Sequence, residues 1–254
     1  MPRNVTKYPR LLPTEQHALL QSVVARSAWK AGTATPVIVF DLDGTLMDNR
    51  PRTCAILREF AATVGKGPED AALAAKLMAA KPGTLAYLLT DSLDLLGVHG
   101  TEQVARAEQF WRDRFFADDH LRHDIEVPGA VAFARACYDQ GATLVYMTGR
   151  DLPLMGIGSF RSLRDLGFPI GVPGTELVLK PDAAMPDEAF KRLEGPKLAR
   201  VGRIVAIFDN EPANCNTLLE LNPEADSIFV DTQHLPGAPA LHPRVKVIED
   251  FRLA

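Results

Sequence analysis

Five short, largely apolar runs punctuate the chain: Val37–Phe40, Thr143–Met147, Ile204–Phe208, Ser227–Val230 and Val245–Ile248. They are rich in β-branched and aromatic residues and show little polar alternation, the pattern of strands buried on both faces of a parallel sheet. Helical periodicity fills the intervals between them. Residues 14–30 carry Leu19, Leu20, Val23 and Val24 on one stripe, with Thr14 as the predicted N-cap and Gly32 and Pro36 beyond the end. A helix over Gly129–Gln140 precedes the second run, with Pro128 near its start and Gly141 after its end. Further helices are predicted over Gly158–Leu166 and Glu188–Leu193. Strands alternating with helices predict an α/β fold with a mostly parallel sheet.

Residues 50–125 break that alternation. The stretch offers no strand pattern and reads as helices over Thr53–Val64, Glu69–Ala80, Thr84–Leu96 and Thr101–Ala117. Ile56, Leu57, Phe60 and Val64 share one face of the first. An interval of that length far exceeds an ordinary βα connection of roughly 2–6 residues plus a helix, so an inserted helical cap is predicted. The expected organisation is an N-terminal helical extension (1–36), an α/β core (37–49 and 126–254) and the cap (50–125).

Composition narrows the class without choosing a function. The 254 residues are 46% hydrophobic with a formal net charge of -4, ordinary for a globular chain large enough to fold without disulfides or a structural metal. Cys54, Cys137 and Cys215 are scattered and odd in number, which predicts a reducing, cytoplasmic setting. Arg3, Lys7 and Arg10 are followed by no uninterrupted apolar stretch, so no secretory signal is expected, and no run approaches a membrane span. Mild acidity with mixed charge predicts no nucleic-acid partner.

The chemistry gathers where three apolar runs stop. The first ends at Asp41, the second at Thr148 and the third at Asp209. In open α/β sheets, ligands bind beyond the carboxyl ends of the strands, so three polar groups are delivered to one edge. Asp and Thr also serve as ordinary turn and cap residues, and one such ending alone would carry no weight. Asp41 and Asp43, two apart and followed by a turn at Gly44, can divide the roles of nucleophile and acid/base, and together offer oxygens to a hard cation such as Mg2+. The backbone N–H groups of Gly44 and Thr45 can form an anion-holding nest. An EF-hand loop is excluded, because Leu46 and Arg52 stand where Gly and Glu belong.

Phe-Asp-Leu-Asp-Gly-Thr-Leu, residues 40–46, resembles the first motif of the haloacid dehalogenase-like superfamily of phosphatases and phosphotransferases, and residues 37–250 can be laid on that pattern. The resemblance implies a Rossmann-like three-layer sandwich. It further implies that Asp41 attacks phosphorus to form an aspartyl-phosphate. Asp43 would protonate the leaving alcohol and later deprotonate water. An acid at position 43 is missing from the dehalogenases of the superfamily and replaced by Thr in its ion-pumping ATPases, which favours a hydrolytic phosphatase. Met-Thr-Gly-Arg, residues 147–150, is similar to the second motif, with Thr148 and Gly149 on a phosphoryl oxygen and Arg150 holding substrate or cap. The third motif is a lysine that neutralises charge between phosphoryl group and nucleophile. Lys191 is preferred for its place on the helix before the Asp209 strand, with Lys180 and Lys197 as alternatives.

The fourth motif resembles Phe-Asp-Asn-Glu-Pro-Ala-Asn, residues 208–214. Asp209 is expected to ligate Mg2+ with the Asp41 carboxylate and the Asp43 carbonyl. The second aspartate usual in that motif is replaced, since Asn210, Glu211 and Asn214 stand in its place, and its role falls to Glu211 or to asparagine-held water. The expected partner is a small phosphorylated molecule. A phosphotransferase or mutase with the same intermediate, or a non-catalytic binding protein, are the alternatives. His120 and His123 with Asp118, Asp119 and Asp124 are read as a solvated polar hinge, and Phe110, Trp111, Phe115 and Phe116 as cap core.

Overall fold

The computed structural model describes residues 8–65 and 67–253. Arg3 and Lys7, in the expected N-terminal extension, lie outside the described residues.

Eight strands form in chain order: β1 (Pro36–Phe40), β2 (Met47–Asp48), β3 (Ile125–Glu126), β4 (Thr143–Asp151), β5 (Thr175–Lys180), β6 (Arg203–Asp209), β7 (Asp226–Val230) and β8 (Lys246–Ile248). Six of them make one parallel sheet in the order β5-β4-β1-β6-β7-β8. The chain runs from β1 outward to one edge and then returns to β1's other side. The strand order therefore reverses at β1, the kind of switch point beside which α/β sheets bind ligands.

Period two along the strands sends alternate side chains into two cores. Ile38, Phe40, Leu144, Tyr146 and Phe208 pack against α1 (Pro13–Arg26) and α6 (Ala130–Asp139) through Leu20, Val23, Phe133 and Cys137. Val37, Val39, Val145, Met147 and Ile207 pack on the opposite face against Phe190 of α8 (Asp187–Glu194) and Leu218 of α9 (Pro212–Leu221). Helices on both faces give the three layers. The helix α7 (Leu152–Leu166) follows β4 and starts six residues before its predicted beginning, with the Asp151 carboxylate accepting the Leu154 N–H at 3.0 Å.

Some local expectations change. The first helix begins at Pro13 rather than after Thr14, because proline's fixed φ suits the first helical position, and Glu15 reaches back to the Leu12 N–H at 2.8 Å. It is also one of the core's own helices, through Leu19, Leu20 and Val23. The hydrophobic pattern does not predict strand β5, because Thr-Glu-Leu-Val-Leu-Lys lies at the sheet edge and is mostly half-buried, so no continuous apolar run marks it. The two-residue pair β2–β3 joins the chain's exit from the core to its return.

Between them, α2 (Arg50–Thr63), α3 (Pro68–Met78), α4 (Leu89–Leu95) and α5 (Thr101–Phe115) enclose a separate core of Leu57, Phe60, Leu73, Leu77, Leu93 and Ala107. The predicted helix over Thr84–Leu96 is broken. A 3₁₀ turn at Pro82–Thr84 leads into extended backbone at Leu85 and Leu88 before α4 begins. Gln233 of the sheet domain holds that loop, its side-chain amide donating to the Leu85 carbonyl at 2.6 Å.

The polar stretch after α5 is not a solvated hinge. Residues Asp118–His123 form a 3₁₀ segment seated on α7, where the Gly158 N–H donates to Asp118 at 2.6 Å and Ser162 Oγ to the Leu121 carbonyl at 3.0 Å. Asp124 is buried, and His120 Nε2 lies 3.0 Å from Glu59. Among the described residues, no group of three or more His, Cys, Asp or Glu is arranged to hold a metal, there or elsewhere. No described helix is long and apolar enough to cross a membrane.

Candidate active site

The site grows from the end of β1. Asp41 continues the parallel ladder, its N–H donating to the Phe208 carbonyl at 3.0 Å, and the chain then turns back on itself. The N–H groups of Thr45, Leu46 and Met47 all point to the Leu42 carbonyl, at 2.9–3.1 Å. Gly44 makes the turn possible: its φ is +78°, and a Cβ there would stand 2.3 Å from the Asn210 amide nitrogen. That close approach ties the first loop to the end of β6, where Thr45 Oγ1 donates to Asn210 Oδ1 at 3.1 Å. Thr45 is completely buried, so its hydroxyl belongs to this tie and not to the cavity.

Of the three candidate lysines, Lys191 is the one between the carboxylates. Its helix presses one face on the sheet, so the side chain emerges buried, with Nζ 2.8 Å from Asp41 Oδ1 and hydrogen-bonded to Asp209 Oδ2. Lys180 instead pairs with Asp187 at 2.8 Å, and Lys197 pairs with Glu194 on the surface at 2.6 Å. Asp209 Oδ1 is fixed by the Glu211 N–H at 2.8 Å and by the Asn214 amide at 3.2 Å. Asn210 turns away, donating to the Gln233 carbonyl at 2.6 Å.

Asp43 belongs to a second charged group. Arg150 clasps it with both edges of a fork, Nε to Oδ2 at 2.7 Å and Nη2 to Oδ1 at 2.9 Å. Arg52, from the first turn of α2, adds a bond to Oδ1 at 2.6 Å. Both arginines also reach Asp124, at 2.8 Å from Arg150 and at 2.6 and 2.8 Å from Arg52. The guanidinium of Arg150 is thus spent on protein partners, Ser159 and Met47 included, rather than left open toward a substrate. Arg52 and Asp124 carry no motif signal. Only their burial, 72 residues apart in sequence, reveals them. Thr148 is buried in β4 and accepts the Arg150 N–H at 3.3 Å. Gly149 leaves room for Asp187, whose carboxylate would lie 2.2 Å from a Cβ at that position.

These environments divide the carboxylates. Burial, reinforced by the charge of Asp209, pushes Asp41 up to about 8 even though Lys191 opposes the shift. Burial also acts on Asp43, but Arg150 and Arg52 outweigh it and hold that carboxyl well below the usual range. Lys191 is held charged, well above the usual lysine range, because Asp209 and Asp41 outweigh its burial. Partial burial beside Tyr87 pushes Glu211 up to about 7.

The donor set suits a hard cation. With Asp41 ionised, the two buried carboxylates sharing Lys191 carry one negative charge that the lysine does not offset, and Mg2+ is commonly held by one or two carboxylates with water and phosphate completing its shell. Asp41, Asp43, Gly44, Thr148, Gly149, Arg150, Asn210, Glu211 and Asn214 all line a cavity of about 1050 Å3 roofed by the cap. Asp209 and Lys191 stand behind Asp41, outside that lining.

No protein-family model matches the chain, and no curated protein does. Solved structures do. A candidate phosphatase of Clostridium difficile is similar over 84% of this chain and 94% of its own, at 14% identity and a TM-score of 0.51. The protein tyrosine kinase A of Mycobacterium tuberculosis is similar over 84% and 92%, at 15% identity and a TM-score of 0.50. A haloacid dehalogenase-like family protein of Streptococcus pneumoniae aligns over 76% and 83%, at 12% identity and a TM-score of 0.45. The parallel sheet with its switch point at β1, the flanking helices and the first two of these likenesses agree on the fold: the chain is a Rossmann-like α/β sandwich of the kind those two proteins adopt.

Proposed function

We propose that this protein is a phosphatase that hydrolyses a small phosphomonoester through an aspartyl-phosphate on Asp41. The observation that carries the reading is the single buried lysine shared by two carboxylates, Asp41 and Asp209, at the switch point of the sheet. A surface ion pair would say little, but burying three charges together is expensive unless they serve a purpose. Asp41 Oδ1 is occupied by Lys191, whereas no described residue donates to Oδ2, which leaves that atom to attack phosphorus. Lys191 then faces the charge that moves from phosphoryl group to carboxylate.

In the proposed cycle Asp41 Oδ2 forms a bond to phosphorus as the P–O bond to the alcohol breaks. Asp43 supplies the proton that the departing oxygen needs. Water next attacks the phosphorus, Asp43 takes its proton, and inorganic phosphate leaves with Asp41 restored. In the arrangement seen here Asp43 is held ionised by Arg150 and Arg52, the form that accepts a proton. Donation therefore requires Asp43 first to take up a proton, with both the Arg150 fork and the Arg52 contact, which rides on the cap's first helix, loosened. Thr148, Gly44 and Gly149 line the space the phosphoryl oxygens would enter, but the Gly44 and Thr45 N–H groups form no anion nest, since they are given to the Met47 and Leu42 carbonyls at 2.7 and 3.1 Å.

Mg2+ is the proposed cofactor, held by the Asp41 and Asp209 carboxylates with the Asp43 carbonyl, and bound it would neutralise phosphoryl charge. Glu211 is the acid of the fourth motif that lines the cavity, its carboxylate accepting the Leu235 N–H at 3.1 and 3.2 Å, and Asn214 acts by orienting Asp209. Three free, buried cysteines support a reducing, cytoplasmic setting. The test is phosphate release from p-nitrophenyl phosphate and a panel of phosphorylated metabolites, with Mg2+ and with chelator. Metal-dependent release that disappears in Asp41→Asn is expected. No release from any compound, or undiminished release by the variant, overturns the proposal.

A further inference from the structure

Of the four aromatic residues expected as cap core, Phe110 and Trp111 pack against it, and Phe115 and Phe116 do not belong to it. Phe110 does pack inward on Phe60, with ring centroids 5.1 Å apart. Trp111, with one side on that core, lines the cavity together with Phe115 and Phe116, and Phe116 remains 41% exposed. Trp111 stacks on Phe115 at 4.3 Å and 26°, while Phe116 stands edge-on to both, at 5.8 and 5.1 Å. The wall is fixed rather than loose, because Trp111 Nε1 donates to Thr53 Oγ1 at 3.1 Å. Across the cavity the extended loop adds Tyr87 and Leu88, both about 40% exposed (42% and 39%). Large apolar side chains clustered in an open cavity mark a surface that awaits an apolar partner.

The position of the wall identifies which part of a ligand would meet it. The Phe115 ring lies against the Arg52 guanidinium, 4.3 Å from its centre, and Arg52 in turn bonds Asp43. The wall is thus two contacts from the group proposed to protonate the departing oxygen. A phosphoryl group on Asp41 would send its alcohol toward Asp43, and hence along this wall. Flat rings gain from edge-to-face and offset packing beyond the area they bury, an advantage a saturated group of the same size lacks.

We propose that the natural substrate is a phosphate monoester whose alcohol carries an aromatic ring, seated on Trp111, Phe115 and Phe116. This rests on the phosphatase reading and names its substrate class. The test compares 2-phenylethyl phosphate with 2-cyclohexylethyl phosphate, whose leaving groups match in chemistry and size and differ in aromaticity. The aromatic ester is expected to show a kcat/KM higher by several-fold, up to about ten-fold. In Phe116→Leu, which keeps apolar bulk and loses the ring, that ratio should fall toward one. Equal values in the unaltered protein overturn the proposal. If neither ester is hydrolysed, binding of 3-phenylpropylphosphonate and 3-cyclohexylpropylphosphonate, followed by calorimetry with Mg2+ present, separates the two claims. Preferential binding of the aromatic phosphonate upholds the wall although the hydrolytic reading has failed, and equal or absent binding overturns the wall as well.

Discussion

Arg52 Nη2 lies 2.6 Å from Asp43 Oδ1 and 2.6 Å from Asp124 Oδ2, so one guanidinium of the cap's first helix bridges the first loop of the core and the chain's return from the cap. Both Arg52 and Asp124 have fully buried side chains. A buried pair gains little over a well-packed apolar pair, but removing one partner strands a charge without water.

Arg52→Ala is therefore expected to destabilise the protein by roughly 3–5 kcal/mol, read by urea unfolding. The double variant Arg52→Met with Asp124→Leu should be less destabilised than the two single changes summed, because neither charge is then left alone. Strict additivity would show that the pair seen here contributes nothing as a pair.

Lys191→Met should affect both chemistry and folding. It leaves Asp41 and Asp209 buried and facing each other, with an expected loss of roughly 3–5 kcal/mol in the metal-free protein. Loss of the charge facing the transferred group should lower kcat by about 10²-fold or more. Lys197→Met, on the surface, should stay within about 0.5 kcal/mol and leave turnover intact. If the two variants behave alike, Lys191 does not have the place in the chemistry assigned to it.

Gly44 and Gly32 form a matched comparison, since both have φ near +80° (+78° and +81°), but only Gly44 has a neighbour within reach of a Cβ. Alanine at either position meets the left-handed backbone penalty, about 1–2 kcal/mol. At Gly44 it must also displace the Asn210 amide, which holds the Gln233 carbonyl and Thr45. Gly44→Ala should therefore lose more stability than Gly32→Ala in parallel melts, and it alone should lose activity.

How much of this is visible in the sequence depends on how far apart the interacting residues lie. Val37–Phe40 must be apolar throughout because both its faces are buried, so β1, and Asp41 at its end, can be read directly. The same holds for Asp209 at the end of β6. Strand β5 escapes because an edge strand is released from that demand. The break before α4 escapes because Gln233, 148 residues away, holds Leu85. Arg52 and Asp124 look like any surface charges until the fold buries them together, and Phe115 and Phe116 have the composition of a core but the position of a cavity wall.

The pH dependence of stability in the metal-free protein is set mainly by two carboxyls, with His123, held below the usual imidazole range by burial and by Arg122, pulling the other way. Asp41 is raised to about 8 and Glu211 to about 7, mainly by burial, against unfolded values near 4. Between those limits the folded chain binds more protons than the unfolded chain, so stability falls as pH rises. The stabilising protons are fully in place only below about pH 4 and are lost as pH passes through about 7 and 8. Asp43 acts in the opposite sense, because its depressed value favours the folded state only above about pH 4, below the window in question. The melting temperature in chelator should therefore decline from about pH 5.5 to about pH 8.5, and a profile that rises across that range would contradict the environments described here.

Asp41→Asn should separate function from stability. The amide cannot attack phosphorus, so turnover should vanish. The same change removes the uncompensated negative charge that Asp41 and Asp209 impose on Lys191, and Asn can still accept the Lys191 hydrogen bond through its oxygen. At about pH 8, without metal, the variant should therefore melt higher than the unaltered protein, by roughly 2–4 °C if the gain is about 1 kcal/mol. Near pH 5, where Asp41 is already protonated, the difference should shrink. Mg2+ should reverse the order at pH 8, because it stabilises whichever form binds it more tightly, and the carboxylate is the stronger ligand. An Asp41→Asn protein that melts lower at pH 8 in chelator would show that Lys191 already compensates both carboxylates, leaving no charge for a cation to meet.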